Sequence, residues 1–126
     1  MKSSKLLPAV LGVDPGTVTV VLFSQSNCEF CAEVREHYLK PLIATHPRRV
    51  VVAEVELDGT RQLRDWTRGE LTQAEFARAN HARFAPTLMF FGAHGEALAA
   101  PIVGLSRDFF GAYLDERIGT ALRASA

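Results

Sequence analysis

The sequence predicts one α/β domain: a parallel strand–helix–strand crossover, then a hairpin and a closing helix. Three observations carry that reading. Thr17 to Phe23 is a β-branched, apolar run; Phe30, Val34, Tyr38 and Leu42 then recur every four residues; and a second apolar run extends from Val50 to Leu57. Strand, amphipathic helix and strand in that order call for a right-handed parallel crossover. The 126 residues are one domain's worth, and 48% hydrophobic residues suffice to fill one core.

Taken in order, Met1 to Pro15 reads as an extended lead-in. Lys2 and Lys5 precede Leu6 to Leu11, but that run is short, contains Pro8 and has no small-x-small cleavage site. It is read as the start of a mature domain whose exporting segment is absent. Ser24 to Asn27 breaks the first strand with turn chemistry. The helix from Cys28 reaches about Thr45, with Arg35 among the residues on its other faces and a bend expected at Pro41, which lacks a donor. Asp58-Gly59 ends the second strand. Thr60 to Arg83 reads as two short helices parted by Gly69, anchored by Leu63, Trp66, Leu71 and Phe76, with Thr72 and Glu75 spaced as a capping box. Trp66 reads as a core plug. Thr87 to Phe91 and Glu96 to Val103 flank the turn Gly92 to Gly95 as a hairpin. Ser106 caps the last helix, whose apolar face comprises Phe109, Phe110, Tyr113, Leu114 and Ile118. No repeat or linker divides residues 1–126.

Fourteen basic and fourteen acidic residues balance. That argues against a nucleic-acid groove or a polybasic membrane patch. No run approaches the roughly 20 apolar residues that span a bilayer. The two cysteines, Cys28 and Cys31, enclose too small a loop to staple a fold and are too few for a four-ligand zinc site. His37 is off their helical face, so no metal is assigned. His37, His46, His81 and His94, like Arg48-Arg49, read as solvated.

A Cys-x-x-Cys pair opening a helix after a buried strand marks a redox motif. Together with Pro86 to Phe91, Gly95-Glu96, Val103 to Ser106 and Phe110 to Leu114, it resembles the thioredoxin-like family over Thr17 to Ile118. The resemblance implies a thioredoxin fold: a central mixed sheet of four to five strands flanked by helices, with a helical insertion before a cis-proline, Pro86. It also implies thiol–disulfide exchange with protein partners, with an upstream electron donor, no cofactor beyond the Cys28–Cys31 disulfide, and a monomer. Cys28, at the helix N-terminus where unpaired N–H groups favour a thiolate, is the nucleophile; Cys31, one turn further in, is buried and resolves. Cis Pro86 would expose the backbone of Ala85 to a partner strand, and Gly104 would keep the neighbouring loop bare. Phe30 reads equally as a substrate contact or as the helix's first core residue.

The sequence departs from ordinary thioredoxins. Asn27 replaces the tryptophan before the first cysteine, and Glu29-Phe30 replaces Gly-Pro. The segment Cys31 to Pro41 is similar to exported thioredoxin-like proteins, including those of bacterial sulfur-oxidation systems, which implies a periplasmic location, with the cytoplasm as the alternative. Glu29 opposes a thiolate on Cys28, which predicts a reductant. The family's buried aspartate, six residues ahead of the nucleophile, is here Leu22. Strand alternation puts Glu54 on the face of Val50 and Val52. The resemblance over Val52 to Asp58 implies that it points toward the Leu22 position, as a half-buried carboxylate that takes the resolving thiol's proton. The other reading is that Glu54 and Glu56 mark the exposed end of the strand. Replacement of Glu54 by glutamine is expected to cost no stability. The competing functional reading is a thioredoxin-fold module that binds peptides or a metal without redox turnover.

Overall fold

The computed structural model describes residues 5–67 and 69–125; Met1 to Ser4, and with them Lys2, lie outside the described residues. β1 (Val18–Ser24) is buried along its whole length because both its faces are covered, which is why it shows no polar alternation. It pairs in parallel with β2 (Val50–Glu56), Val18 opposite Val50 and Leu22 opposite Glu54. On its other side it runs antiparallel to β5 (Thr87–Phe91), which pairs antiparallel with β6 (Ala97–Val103). The sheet is therefore mixed and four-stranded, in the order β2-β1-β5-β6.

The crossover helix is continuous over residues 29–45, in three parts: α1 (Glu29–Val34), a π-helical turn (Arg35–Leu39) and α2 (Lys40–Thr45). The π turn ends just ahead of Pro41. The proline thus falls where the π turn gives way to α2, at the change in the helix's bonding pattern. With α4 (Phe110–Ser125), this helix covers one side of the sheet, burying Val34, Leu39 and Phe110 against Val20, Leu22 and Phe90. The other side holds Val21, Phe23, Ala53 and Val55 beneath Phe76.

The two helices expected over Thr60 to Arg83 are instead a hairpin and one helix. β3 (Gln62–Arg64) pairs antiparallel with β4 (Glu70–Thr72), and α3 (Gln73–Ala79) follows. Two polar-apolar-polar triplets decide this: Leu63 faces inward between exposed Gln62 and Arg64, and it is paired with Leu71. Period two over three residues is enough for a strand when a turn brings its partner alongside. The capping box at α3 is present, with Glu75 N–H donating to Thr72 Oγ1 and Thr72 N–H to Glu75 Oε1. Trp66 packs on Phe76 and Phe91 and lies so close to Gly95 that a Cβ there would come within 2.7 Å of the indole. Gly95 also takes φ +82° in the β5–β6 turn, so both space and backbone demand glycine.

α4 begins later than read. Ser106 O accepts the N–H groups of Phe109 and Phe110 in a turn ahead of it. Its inward stripe is Phe110, Leu114, Ile118 and Ala121, spaced by four and three; Phe109 and Tyr113 sit on the adjacent stripe and face solvent. The lead-in is more than a tail. Glu54 N–H donates to Pro8 O at 3.0 Å on the outer edge of β2, Leu7 packs into the helix-side core, and Leu11 is buried on the opposite side. No helix among the described residues is long and apolar enough to cross a membrane.

Candidate active site

Three segments meet at one end of the sheet. β1 delivers the chain to the cysteine loop, Ala85–Pro86 leads into β5, and Gly104 follows β6. The register Phe23–Thr87–Val103 sets these ends side by side. Gly104 N–H donates to Pro86 O at 2.7 Å and ties the last two together. The Ala85–Pro86 peptide bond is cis. Gly104 has φ +82°, and a Cβ there would meet nothing within 4 Å; it is the backbone angle that calls for glycine, and the space beside it is open.

Asn27, with φ 59°, turns the chain from the sheet into the helix, a conformation that asparagine tolerates better than most residues. Cys28 is the N-cap: its backbone is extended, and its Sγ accepts the N–H of Cys31 at 3.2 Å. This is the position in which a helix's unpaired donors favour a sulfur anion. Cys28 and Cys31 form a disulfide, with Cα atoms 5.2 Å apart. Cys31 is fully buried and Cys28 only partly so, leaving one sulfur for incoming partners.

The surface around the pair is apolar. Phe30 is 52% exposed, so the second cysteine's neighbour belongs to the surface and not to the core. Phe84, just ahead of Ala85, and Val103, just ahead of Gly104, are exposed as well; both were missed in the sequence, where adjacency to the loop residues was the only signal. Arg107, in the loop between β6 and α4, donates to both oxygens of Glu33, at 3.0 and 2.8 Å. That contact holds the Glu33 carboxyl below its ordinary pKa and pushes the guanidinium above its own.

Glu54 lies beside Leu22, on the redox-helix side of the sheet, and is 3% exposed. It is not a lone carboxylate. Arg35, placed in the sequence on another face of the helix, is turned inward and buried, with Nε 2.7 Å from Oε1 and Nη2 2.6 Å from Oε2 of Glu54. Leu7 N–H adds a third donor, to Oε1 at 3.0 Å. The hydrogen bond to Glu54 raises the pKa of Arg35 further. Arg35 could have been found from its i+4 spacing to Cys31, which puts both on the sheet-facing side.

A family model described as a thioredoxin-like domain matches residues 14–116. The chain belongs to the thioredoxin-like family. No curated protein matches it. Among solved structures it is similar to mitochondrial thioredoxin 3 of Saccharomyces cerevisiae in its oxidised form, at 20% identity and a TM-score of 0.58, covering 81% of this chain and 76% of that one. It is also similar to thioredoxin O2 of Arabidopsis thaliana in the oxidised state (20%, TM-score 0.57, 80% and 75% covered). A third likeness is to a chain from work on the thiol-resolving mechanism in yeast mitochondrial 1-Cys peroxiredoxin via glutathione/thioredoxin systems (18%, TM-score 0.58, 82% and 77%). With the family, the mixed sheet and the bonded Cys28–Cys31 pair together, this thioredoxin-like chain is a thiol:disulfide oxidoreductase.

Proposed function

We propose that this oxidoreductase acts as a reductant of disulfides in protein partners. The observation that carries the reading is the asymmetry of the pair, with Cys28 capping the helix at the surface and Cys31 fully buried behind it. In the reduced protein the Cys28 thiolate attacks one sulfur of a partner disulfide; that S–S bond breaks, and the partner's other sulfur leaves as a thiolate that takes up a proton. Cys31 then gives its proton to Glu54 and attacks Cys28 Sγ. The Cys28–Cys31 bond forms, the mixed disulfide breaks, and the second partner thiolate is released. The partner leaves reduced by two electrons, and an upstream donor must return them.

The partner docks as an extended strand across Phe30, Ala85, Pro86 and Gly104, a reading supported by the open space beside Gly104 and the exposed Phe30, Phe84 and Val103. A reducing role is supported by exposed Glu29, whose charge beside Cys28 disfavours its thiolate. We place the protein, as a monomer, in the bacterial periplasm on the likeness of Cys31 to Pro41 to exported relatives. Insulin-type disulfide reduction tests the core of this reading. Wild type should reduce and precipitate insulin, and Cys28→Ser should not. Equal, low activity in both would leave a peptide-binding module without turnover.

A further inference from the structure

The second helical turn after Cys28 carries a group that the exchange chemistry does not require but the fold has buried at its centre. Arg35 is 4% exposed, and its N–H donates to the backbone oxygens of Cys31 and Ala32. Its side chain spans from the redox helix to β2 and grips both oxygens of Glu54. A helix–sheet contact of this size is ordinarily filled by aliphatic side chains, as Val34 and Leu39 do here. Burying a guanidinium and a carboxylate there instead is costly unless the two stay paired.

We propose that Arg35 is a positioning residue for the resolving step: it fixes the Glu54 carboxylate beneath the redox helix and sets how readily that carboxylate takes the Cys31 proton. The inference rests on the proposed role of Glu54 as proton acceptor. The geometry favours it in three ways. Arg35 is bonded through its backbone to Cys31 and through its side chain to Glu54, so it joins donor and acceptor. A planar fork on both oxygens fixes the carboxylate's plane as a lysine would not. Finally, Glu54 lines a recess of about 340 Å³, walled by Leu6 to Ala9, Glu56 and Arg61, through which a proton can pass to solvent from a nearly inaccessible group.

Among the described residues, the charged groups facing the pair are few. Glu36 on the π turn and Glu56 on β2 act on Arg35, and Arg61 faces the recess; β1 offers only Leu22 and Ser24, and the lead-in offers the Leu7 N–H. With Arg35 removed, none of the other groups replaces a guanidinium on both oxygens, and a buried, unpaired carboxylate takes up a proton instead. It is then occupied before Cys31 can use it.

The test follows resolution directly. Reduced protein loaded on Cys28 with dithiobis-nitrobenzoate releases thionitrobenzoate when Cys31 closes the disulfide, and stopped-flow measurement gives the rate against pH. Arg35→Met should move the acid limb of that profile upward by roughly one to three pH units. Arg35→Lys, which keeps the charge but loses the fork, should move it less in the same direction. In a Glu54→Gln background, Arg35→Met should no longer move it. Circular dichroism identifies any variant that has not folded, and Arg35→Lys then carries the test alone. A rate lowered equally at every pH, or an unmoved limb in both Arg35 variants, would reduce Arg35 to a packing residue. If Glu54→Gln resolves like wild type throughout, Glu54 is not the acceptor and the inference falls, while insulin reduction by that same variant still reports on the Cys28–Cys31 reading separately.

Discussion

Arg107 lies over the ring of Phe30, its guanidinium carbon 5.6 Å from the centroid. Because the same guanidinium also grips Glu33, one residue of the β6–α4 loop holds two side chains of the redox helix that flank buried Cys31. Phe30, half exposed, thus presents its ring beside a cation that is itself tied to Glu33.

Arg107→Ala should accordingly change recognition and not folding. Ion pairs this exposed contribute little to stability, so the denaturation midpoint should barely move. The KM for a protein disulfide should rise several-fold, while turnover of a small disulfide stays as in wild type. The Glu33 carboxyl titrates below its ordinary value, so its contribution is complete above that value and fades as pH falls through the lowered one. The KM difference between Arg107→Ala and wild type should therefore narrow in acid. An equal KM near neutral pH would place Arg107 outside the docking surface.

The direction of electron flow hangs on residue 29. Glu29→Gln removes the negative charge next to Cys28 and should shift the pair's equilibrium with glutathione toward oxidising behaviour. High salt should shrink the difference, because Glu29 is exposed. A wild-type potential near that of strong disulfide oxidants would exclude the reducing role.

The Arg35 pair reverses the stability expected of Glu54→Gln. Removing one member of a buried pair leaves the other uncompensated, at a cost of roughly 3–5 kcal/mol, lessened by what the amide oxygen recovers. Replacing both members, as in Arg35→Met with Glu54→Leu, should return most of that loss. Urea denaturation of the three proteins provides the check, and a stable Glu54→Gln single variant would mean that the pair contributes little.

What could be read in the sequence, and what could not, divides along the range of the interactions. The strands of the main sheet, the crossover helix and the Thr72–Glu75 box are written in local periodicity and spacing, and their positions agree closely with the structure. The β3–β4 hairpin was hidden because three-residue strands carry barely one period, and Leu63 and Leu71 look equally at home on a helix. Cys28 and Cys31 declared themselves by their place at a strand-to-helix junction. For Arg35 the i+4 spacing to Cys31 signals only the sheet-facing side; its partner Glu54, 19 residues away in the chain, is disclosed by the β1–β2 register alone.

The box itself offers a local test. Thr72→Ala should cost about 1 kcal/mol. Glu75 is held below its ordinary pKa, first by the Thr72 N–H and then by the Thr72 hydroxyl. Its share is therefore whole above the ordinary carboxylate value and is lost as pH drops through the lowered one. The destabilisation caused by Glu75→Ala should thus be smaller in acid than near neutral pH when measured by urea midpoints. A pH-independent loss would assign it to helix propensity alone.

The lead-in has a practical bearing on how this chain can be cut or fused. A version trimmed to begin at Thr17, where the first strand pattern starts, would strip the backbone that shields the outer margin of β2 and bare the Glu54 N–H that Pro8 O now accepts. The opposite margin, β6, carries its own guard: Pro101 lacks a donor, and Arg117 Nε occupies the Ala100 carbonyl at 3.0 Å. Trimming would therefore leave the β2 rim the more open of the two to strand addition by the protein's own copies.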